Sequence, residues 1–315
     1  MDFSYSFFLV AFSSLKEKVQ RKKKNTHKEQ NMLDFLKNHV TATVILSCLI
    51  VLLLALIVWI IWSNKAPVLT KISIKSNTSG LKIAHISDFH NAKFQNDNEE
   101  LIALVRESAP DIIAITGDLI DSRHTKVKRS IDFVRELARI APCYYVPGNH
   151  ESRIKEEYEQ LKTALAELGV TILCDQKTTY EQNGEIFTII GIEDPMFVLQ
   201  KDSTEMASAV VSGKLLPLVE NTEGYTIVLC HRPETFMSYV DAGVDLALTG
   251  HAHGGQAQIP FVGGLIAPNQ GFFPKYSEGL HTEGKTNMVI SRGIGNSLCP
   301  LRVNNRPEII LITIE

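Results

Sequence analysis

The longest uninterrupted apolar stretch, Thr43 to Trp62, reads TVILSCLIVLLLALIVWIIW. At about 1.5 Å per residue, such a run reaches across a hydrocarbon core of roughly 30 Å, and it predicts a transmembrane helix. Trp59 and Trp62 stand at its far end, where interfacial aromatic anchors belong, and Ser63-Asn64-Lys65 returns the chain to polar sequence. A cleavable signal peptide would carry an apolar region of about 7 to 15 residues and a small-residue cleavage site. This run is longer and ends in Ile-Ile-Trp.

Beyond a linker at residues 63–80 the pattern changes. Short apolar runs alternate with amphipathic stretches across residues 81–315, the alternation of an α/β domain. Strands are predicted at Lys82 to Ser87, Asp111 to Thr116, Cys143 to Val146, Ile186 to Gly191, Tyr225 to Cys230, Asp245 to Thr249, Thr286 to Ser291 and Glu308 to Ile314. Helices are predicted at Asn98 to Ser108, Val127 to Ile140, Lys155 to Leu168 and Pro233 to Ala242. In the third helix Tyr158, Leu161, Leu165 and Leu168 recur at three- and four-residue spacing, a face that packs on a sheet. No internal repeat or low-complexity segment interrupts the domain.

A chain of 315 residues accommodates one large domain and an appendage. Its net charge of −3 leaves no basic footprint for nucleic acid, so none is expected as a partner. The basic residues are uneven, however. Lys16, Lys18, Arg21, Lys22, Lys23, Lys24 and Lys28 crowd the segment 1–42 ahead of the apolar run, against only Lys65, Lys71 and Lys75 on the other flank. The positive-inside rule then places residues before 43 in the cytoplasm and the domain outside, as a single-pass protein of the cell membrane. In a bacterial source, Lys28-Glu-Gln-Asn-Met32 reads alternatively as a purine-rich ribosome-binding sequence ahead of a start codon; residues 1–31 would then be untranslated and the orientation argument weaker. The five cysteines show no C-x-x-C spacing. Cys143, Cys174 and Cys230 lie in or beside apolar runs, as buried free cysteines do, and Cys48 lies in the apolar helix.

Candidate chemistry sits at the strand ends. Asp88-Phe-His90, Gly117-Asp118-Leu-Ile-Asp121, Gly148-Asn149-His150-Glu151, His231 and Gly250-His251-Ala-His253 each directly follow a predicted strand. Loops at the carboxyl ends of strands in α/β sheets converge on one crevice, so these distant residues can share a site. Each motif alone is commonplace as a turn or loop closure. Together they supply carboxylate, amide and imidazole donors in numbers sufficient for two borderline divalent cations such as manganese, iron or zinc. Gly117, Gly148 and Gly250 are expected to let the backbone turn sharply off each strand. His27, His39, His85, His124 and His281 fall outside this set.

The order and wording of these motifs resemble the calcineurin-like metallophosphoesterases, whose pattern is D-x-H, G-D-x-x-D, G-N-H-[DE], H, G-H-x-H. The resemblance covers about Leu81 to Glu315. It implies a sandwich of two mixed β-sheets flanked by helices, the αββα arrangement, with metals at the strand ends. It further implies that Asp88, His90 and His253 hold one metal, Asn149, His231 and His251 the other, and that Asp118 bridges them. The Gly254-Gly-Gln256 step and the tail from Ser291 through Pro300-Leu-Arg302 to Glu308 resemble the bacterial membrane-associated or exported branch.

Charge alone points to the same reaction. Two divalent ions bring four positive charges, Asp88 and Asp118 cancel two, and the pocket should attract phosphate. A hydroxide bridging ions about 3.5 to 4 Å apart would be the in-line nucleophile on a phosphodiester or phosphomonoester. His150 is the candidate to protonate the leaving oxygen or stabilise equatorial charge, with Asp121 accepting from its ring and keeping it protonated. Arg292 or Arg302 is a candidate for bidentate contact with the substrate phosphate. The substrate is thus expected to be a phosphorylated small molecule or lipid met at the membrane. Two alternatives stand beside this one: a UDP-diacylglucosamine-type pyrophosphate hydrolase, which some relatives are and which needs a cytoplasmic domain, and a catalytically silent metal-binding scaffold.

Overall fold

A computed structural model describes residues 3–78, 80–296 and 302–315. The Pro300-Leu301 step and the fifth cysteine, Cys299, therefore lie outside the described residues. The chain divides into two units, one ending at Trp59 and one spanning Ile60–Glu315. Helix α1 (Phe3–Ser63) makes up the first and ends in the second. No glycine or proline occurs within it, so the helix extends far upstream of the apolar run expected from hydropathy. Its portion Gln20–Ser63 contains a stretch long and apolar enough to cross a membrane, and side chains such as Leu52 and Val58 point outward.

The second unit follows the α/β alternation. Its first half comprises β1 (Val68–Ile74), β2 (Leu81–Ile86), α2 (Glu99–Ser108), β3 (Ile112–Thr116), α3 (Val127–Ala138), β4 (Cys143–Val146), α4 (Asn149–Arg153), α5 (Lys155–Glu167) and β5 (Thr171–Ile172). The second half begins with β6 (Gln176–Gln182), β7 (Glu185–Ile192), α6 (Thr204–Val219), β8 (Tyr225–Cys230), α7 (Phe236–Asp241) and β9 (Leu246–Thr249). Two small hairpins follow, β10 (Gln258–Ile259) with β11 (Gly263–Gly264) and β12 (Ile266–Ala267) with β13 (Gly271–Phe272). The chain closes with β14 (Gly279–Glu283), β15 (Thr286–Ile290) and β16 (Glu308–Ile314).

Two mixed six-stranded sheets result, ordered β1-β16-β2-β3-β4-β5 and β14-β15-β9-β8-β7-β6. Ile83, Ile112, Val146 and Ile312 from the first sheet meet Phe187, Ile227, Leu229 and Leu248 from the second in one buried layer. The outer face of the first sheet buries Val105 of α2, Phe133 of α3 and Leu161 of α5, while the second is covered by Val211 and Leu215 of α6 and Tyr239 of α7. The architecture is the expected αββα sandwich.

Part of the expected linker is a strand. β1 runs parallel to β16 in register from Val68↔Glu308 to Ile74↔Ile314, and its mostly half-exposed edge position explains the weak apolar pattern. Helix α6 is a second element absent from the sequence expectations, and it contains Gly213 and Pro217, residues disfavoured inside helices. Pro217 falls in its last turn, where it leaves the Gly213 carbonyl without its helical donor. The edge strand β6, QKTTYEQ, carries no apolar run at all.

Candidate metal centre

β2, β3 and β4 are parallel neighbours in one sheet, and β8 and β9 in the other, so the loops at their carboxyl ends leave the sandwich together. Asp88 and His90 follow β2, Asp118 follows β3, Asn149 opens α4 after β4, His231 follows β8, and His251 and His253 follow β9. All seven are buried. Ligand atoms of Asp88, His90 and His253 cluster in one group, and those of Asp118, His231 and His251 in another; His90, Asp118 and His150 form a third that joins them. His253 Nε2 lies 3.3 Å from Asp88 Oδ1 and 3.3 Å from His90 Nε2, while His231 Nε2 lies 3.2 Å from Asp118 Oδ2.

The backbone is strained to do this. Asp88, His90, Asp118, His251 and His253 all have φ between 45° and 65°, a region that costs a non-glycine residue roughly 1–2 kcal/mol. Of the three glycines, only Gly117 turns in the left-handed region, at φ +86°. Gly148 and Gly250 are needed for close approach instead: a Cβ on Gly148 would strike Asp118 Oδ1, and one on Gly250 would strike Ser87 Oγ.

Donor chemistry fits cations. Asn149 Oδ1 is buried with no hydrogen-bond partner among the described residues, a costly state that a cation at the cluster would relieve. His231 Nδ1 donates to the Thr116 carbonyl at 2.7 Å, which fixes the ring with Nε2 toward the carboxylates. Burial opposes charge on His231, yet Asp118 and Asp88 overcome it and push its pKa up to about 10. Burial likewise favours neutral Asp118 and Asp88, but the surrounding imidazoles hold both carboxyls below the usual range. His253 is pushed down to about 3 by burial, and His251 is lowered by burial and by Arg232, so both present lone pairs at neutral pH.

His150 departs from expectation. Its Nδ1 lies 3.4 Å from Asp121 Oδ1 but accepts the Ser122 backbone N–H at 3.0 Å, which leaves the ring proton of the neutral form on Nε2. Burial, the largest influence, pushes its pKa down to about 4, and the attraction of Asp118 and Asp121 does not overcome it. Asp121 therefore does not keep this ring protonated; it accepts the Arg123 N–H at 2.9 Å instead. The two arginines considered for phosphate contact are also committed elsewhere. Arg292 bonds Glu308 at 2.7 Å, and the buried Arg302 bonds the Arg292 carbonyl at 2.5 Å and reaches His253 Nδ1 at 3.2 Å.

Four residues escaped sequence reasoning. Glu151 gathers backbone N–H groups of Asp118, Ile120 and Gly148. Its place in Gly148-Asn149-His150-Glu151 was the available signal. Arg232, fully buried, pairs with Asp194 and stands 3.2 Å from His251 Nε2; only its adjacency to His231 hinted at this. Arg123 and Arg153 line a cleft of about 610 Å³ together with Asp118, His150, His251 and His253 of the cluster and with Ile266, Ala267, Pro268 and Asn269. Nothing in the sequence marked those two arginines.

Residues 81–255 match the family model of the calcineurin-like phosphoesterases. The chain belongs to this family. It is 32% identical to the uncharacterized metallophosphoesterase YkoQ of Bacillus subtilis (strain 168) across 82% of this chain and 97% of that protein. The uncharacterized metallophosphoesterase YkuE of the same organism is 32% identical over 75% of this chain and 79% of its own length. Phosphodiesterase YaeI of Escherichia coli (strain K12) is 29% identical over 76% and 83%. Family and buried cluster together point to a binuclear metal site and to phosphoester hydrolysis as the class of reaction.

Proposed function

We propose that this calcineurin-like family member is a membrane-anchored hydrolase of phosphoesters, phosphodiesters first, that works with two divalent cations held by Asp88, His90, Asp118, Asn149, His231, His251 and His253. The observation that carries the reading is Asp118, whose carboxylate is shared by the His231–His251 group and the His90–His150 group. Bound there, cations of the manganese, iron or zinc type would supply Lewis-acid activation of water and neutralise phosphoryl charge.

This chain's own side chains do the rest. Asp88 and Asp118, ionised in the buried site, would offer the two cations negative charge. His150, neutral with its proton on Nε2, donates to a phosphoryl oxygen and stabilises the charge that gathers there. Arg123 and Arg153, which line the same cleft, hold the ester's outer oxygens. The diester preference draws on the phosphodiesterase YaeI. Anchoring rests on the apolar end of α1, and the basic cluster before it favours an extracytoplasmic domain.

A metal-by-substrate panel on the full chain tests the reading: manganese, iron and zinc against aryl phosphomonoesters, aryl phosphodiesters, nucleotide sugars and phospholipids. Metal-dependent cleavage of a diester is the expected result. Loaded protein that cleaves no ester would return the scaffold alternative, and a periplasmic reporter silent when fused after Glu315 would reverse the orientation.

A further inference from the structure

The hairpins that follow His253 carry a surface the metal centre does not use. From Gln256 to Pro274 the chain contains no charged residue. Phe261 is fully exposed, Phe272 is 71% exposed and Phe273 60% exposed, with Val262 and Ile259 beside them in the same two hairpins. A single exposed apolar side chain needs no explanation, but this concentration of aromatic surface in one short segment marks an interaction surface.

The occupant is indicated by what the hairpins are tied to. Gln258 N–H donates to the Val303 carbonyl at 2.9 Å and Val303 N–H to the Gln256 carbonyl at 3.2 Å, so Val303 holds the base of the first hairpin. Its neighbour Arg302 is bound on both sides by Asn64, through Nδ2 to the Arg302 carbonyl at 2.7 Å and through Oδ1 from the Arg302 N–H at 2.9 Å. Asn64 is two residues past Trp62, the last residue of the apolar run, and Arg306 lies over the Trp62 ring. The chain thus leaves its apolar helix at the point where the hairpins are rooted. Exposed Lys275 directly follows the aromatic segment in sequence, a positive charge suited to an anionic headgroup layer.

We infer that the hairpin surface from Ile259 to Phe273 inserts into the same lipid bilayer that receives the N-terminal helix, so that the cleft opens at the membrane and takes the phosphoester headgroup of an amphiphile. This rests on the membrane-anchored phosphoesterase reading above. Ile266 makes the connection: it belongs to the second hairpin and lines the same cleft as His150. An apolar tail passing along Ile266 stays in contact with the surface that enters the acyl boundary, while the phosphate reaches the arginines and the metal cluster.

The test places a benzophenone amino acid at Phe261 in the full chain, reconstituted in vesicles of phosphatidylcholine and phosphatidylglycerol, with the same substitution at Leu54 and at the exposed Val198 as references. Lipid adducts at positions 261 and 54 and none at 198 are expected. Adducts at 54 without any at 261, or a 261 adduct to a second copy of the chain, would overturn the docking alone; no adduct at 54 would overturn the anchored reading and the docking with it. A second measurement compares Phe261→Ser/Phe272→Ser with wild type on bis(4-nitrophenyl) phosphate in solution and 4-nitrophenyl hexadecyl phosphate in the same vesicles. Soluble turnover should stay within about twofold while turnover of the vesicle ester falls about tenfold or more. Equal loss on both, or on neither, contradicts the inference. Wild type that cleaves neither ester removes the hydrolase reading and the substrate half of the inference, and leaves the docking to be decided by the adducts.

Discussion

Glu151 accepts the backbone N–H of Asp118 at 2.9 Å and, through the same carboxylate oxygen, that of Gly148 at 2.8 Å. Its other oxygen accepts Ile120 N–H at 3.1 Å. One buried carboxylate thereby locks the loop after β3 to the loop after β4 and fixes Asp118 against Asn149. Glutamine keeps only one acceptor oxygen and turns an N–H₂ toward a backbone donor. Glu151→Gln should therefore cost about 2 kcal/mol or more in urea unfolding and weaken metal uptake along with it. Unchanged stability and unchanged metal affinity would show that the carboxylate does not organise the loops.

His150 lines the cleft and holds its proton on Nε2. His150→Ala should retain both metals and lose about 10²- to 10⁴-fold in kcat. Because burial pushes the ring's pKa down to about 4, wild-type kcat should carry no limb near pH 6.5 from this group. Full turnover in the variant, or a limb at pH 6.5 that the variant abolishes, contradicts the role drawn here.

Without a cation, His231 carries a proton against burial because Asp118 and Asp88 attract it, with a pKa pushed up to about 10. Raised above its ordinary 6.5, this group stabilises the metal-free fold fully below about pH 6.5 and loses that contribution as pH rises through about 10. Metal binding runs the other way, since the ligand must give up its proton. Affinity should rise up to about tenfold per pH unit between pH 6 and 8 for that single proton. Calorimetry in two buffers of different ionisation heat measures the release directly; binding without proton release would show that His231 is not a ligand.

Arg232 is buried with Asp194, bonded through Nε at 2.6 Å and Nη2 at 2.9 Å, and also meets Asp202 and Glu234. Arg232→Met leaves Asp194 buried without its cation, a change that costs about 3–5 kcal/mol. Thermal unfolding checks this, and a second substitution, Asp194→Leu, should recover part of the loss. Equal melting of the single variant and wild type would mean that the pair is solvated in solution.

Much of this arrangement was legible in the chain. The strands that place ligands, such as Tyr225–Cys230 and Cys143–Val146, are short, wholly buried apolar runs closed by polar residues, and their length and flanking residues mark them as strands. What stayed hidden has its own physical character. β1 and β6 are half-exposed edge strands whose apolar positions are too sparse to stand out, and α6 carries residues usually found at breaks. Around the centre, Asp88 and His90 announced themselves by motif, whereas Arg232 and Arg302 act through three-dimensional contacts to His251 and His253 that no local spacing encodes. The protonation of His150 is hidden for a related reason: the spacing brings Asp121 close, but the Ser122 N–H that occupies Nδ1 and the burial that outweighs the carboxylate have no local signature.

The central claim is that the seven buried donors hold a pair of cations through a shared Asp118. Metal content per chain, measured by mass spectrometry on full-length protein equilibrated with manganese and zinc, tests it most directly beside Asp118→Asn and Asp88→Asn. The account predicts two ions per wild-type chain, with both weakened by Asp118→Asn and one chiefly by Asp88→Asn; wild-type protein that binds none, or an Asp118→Asn chain that holds two as firmly, would contradict it.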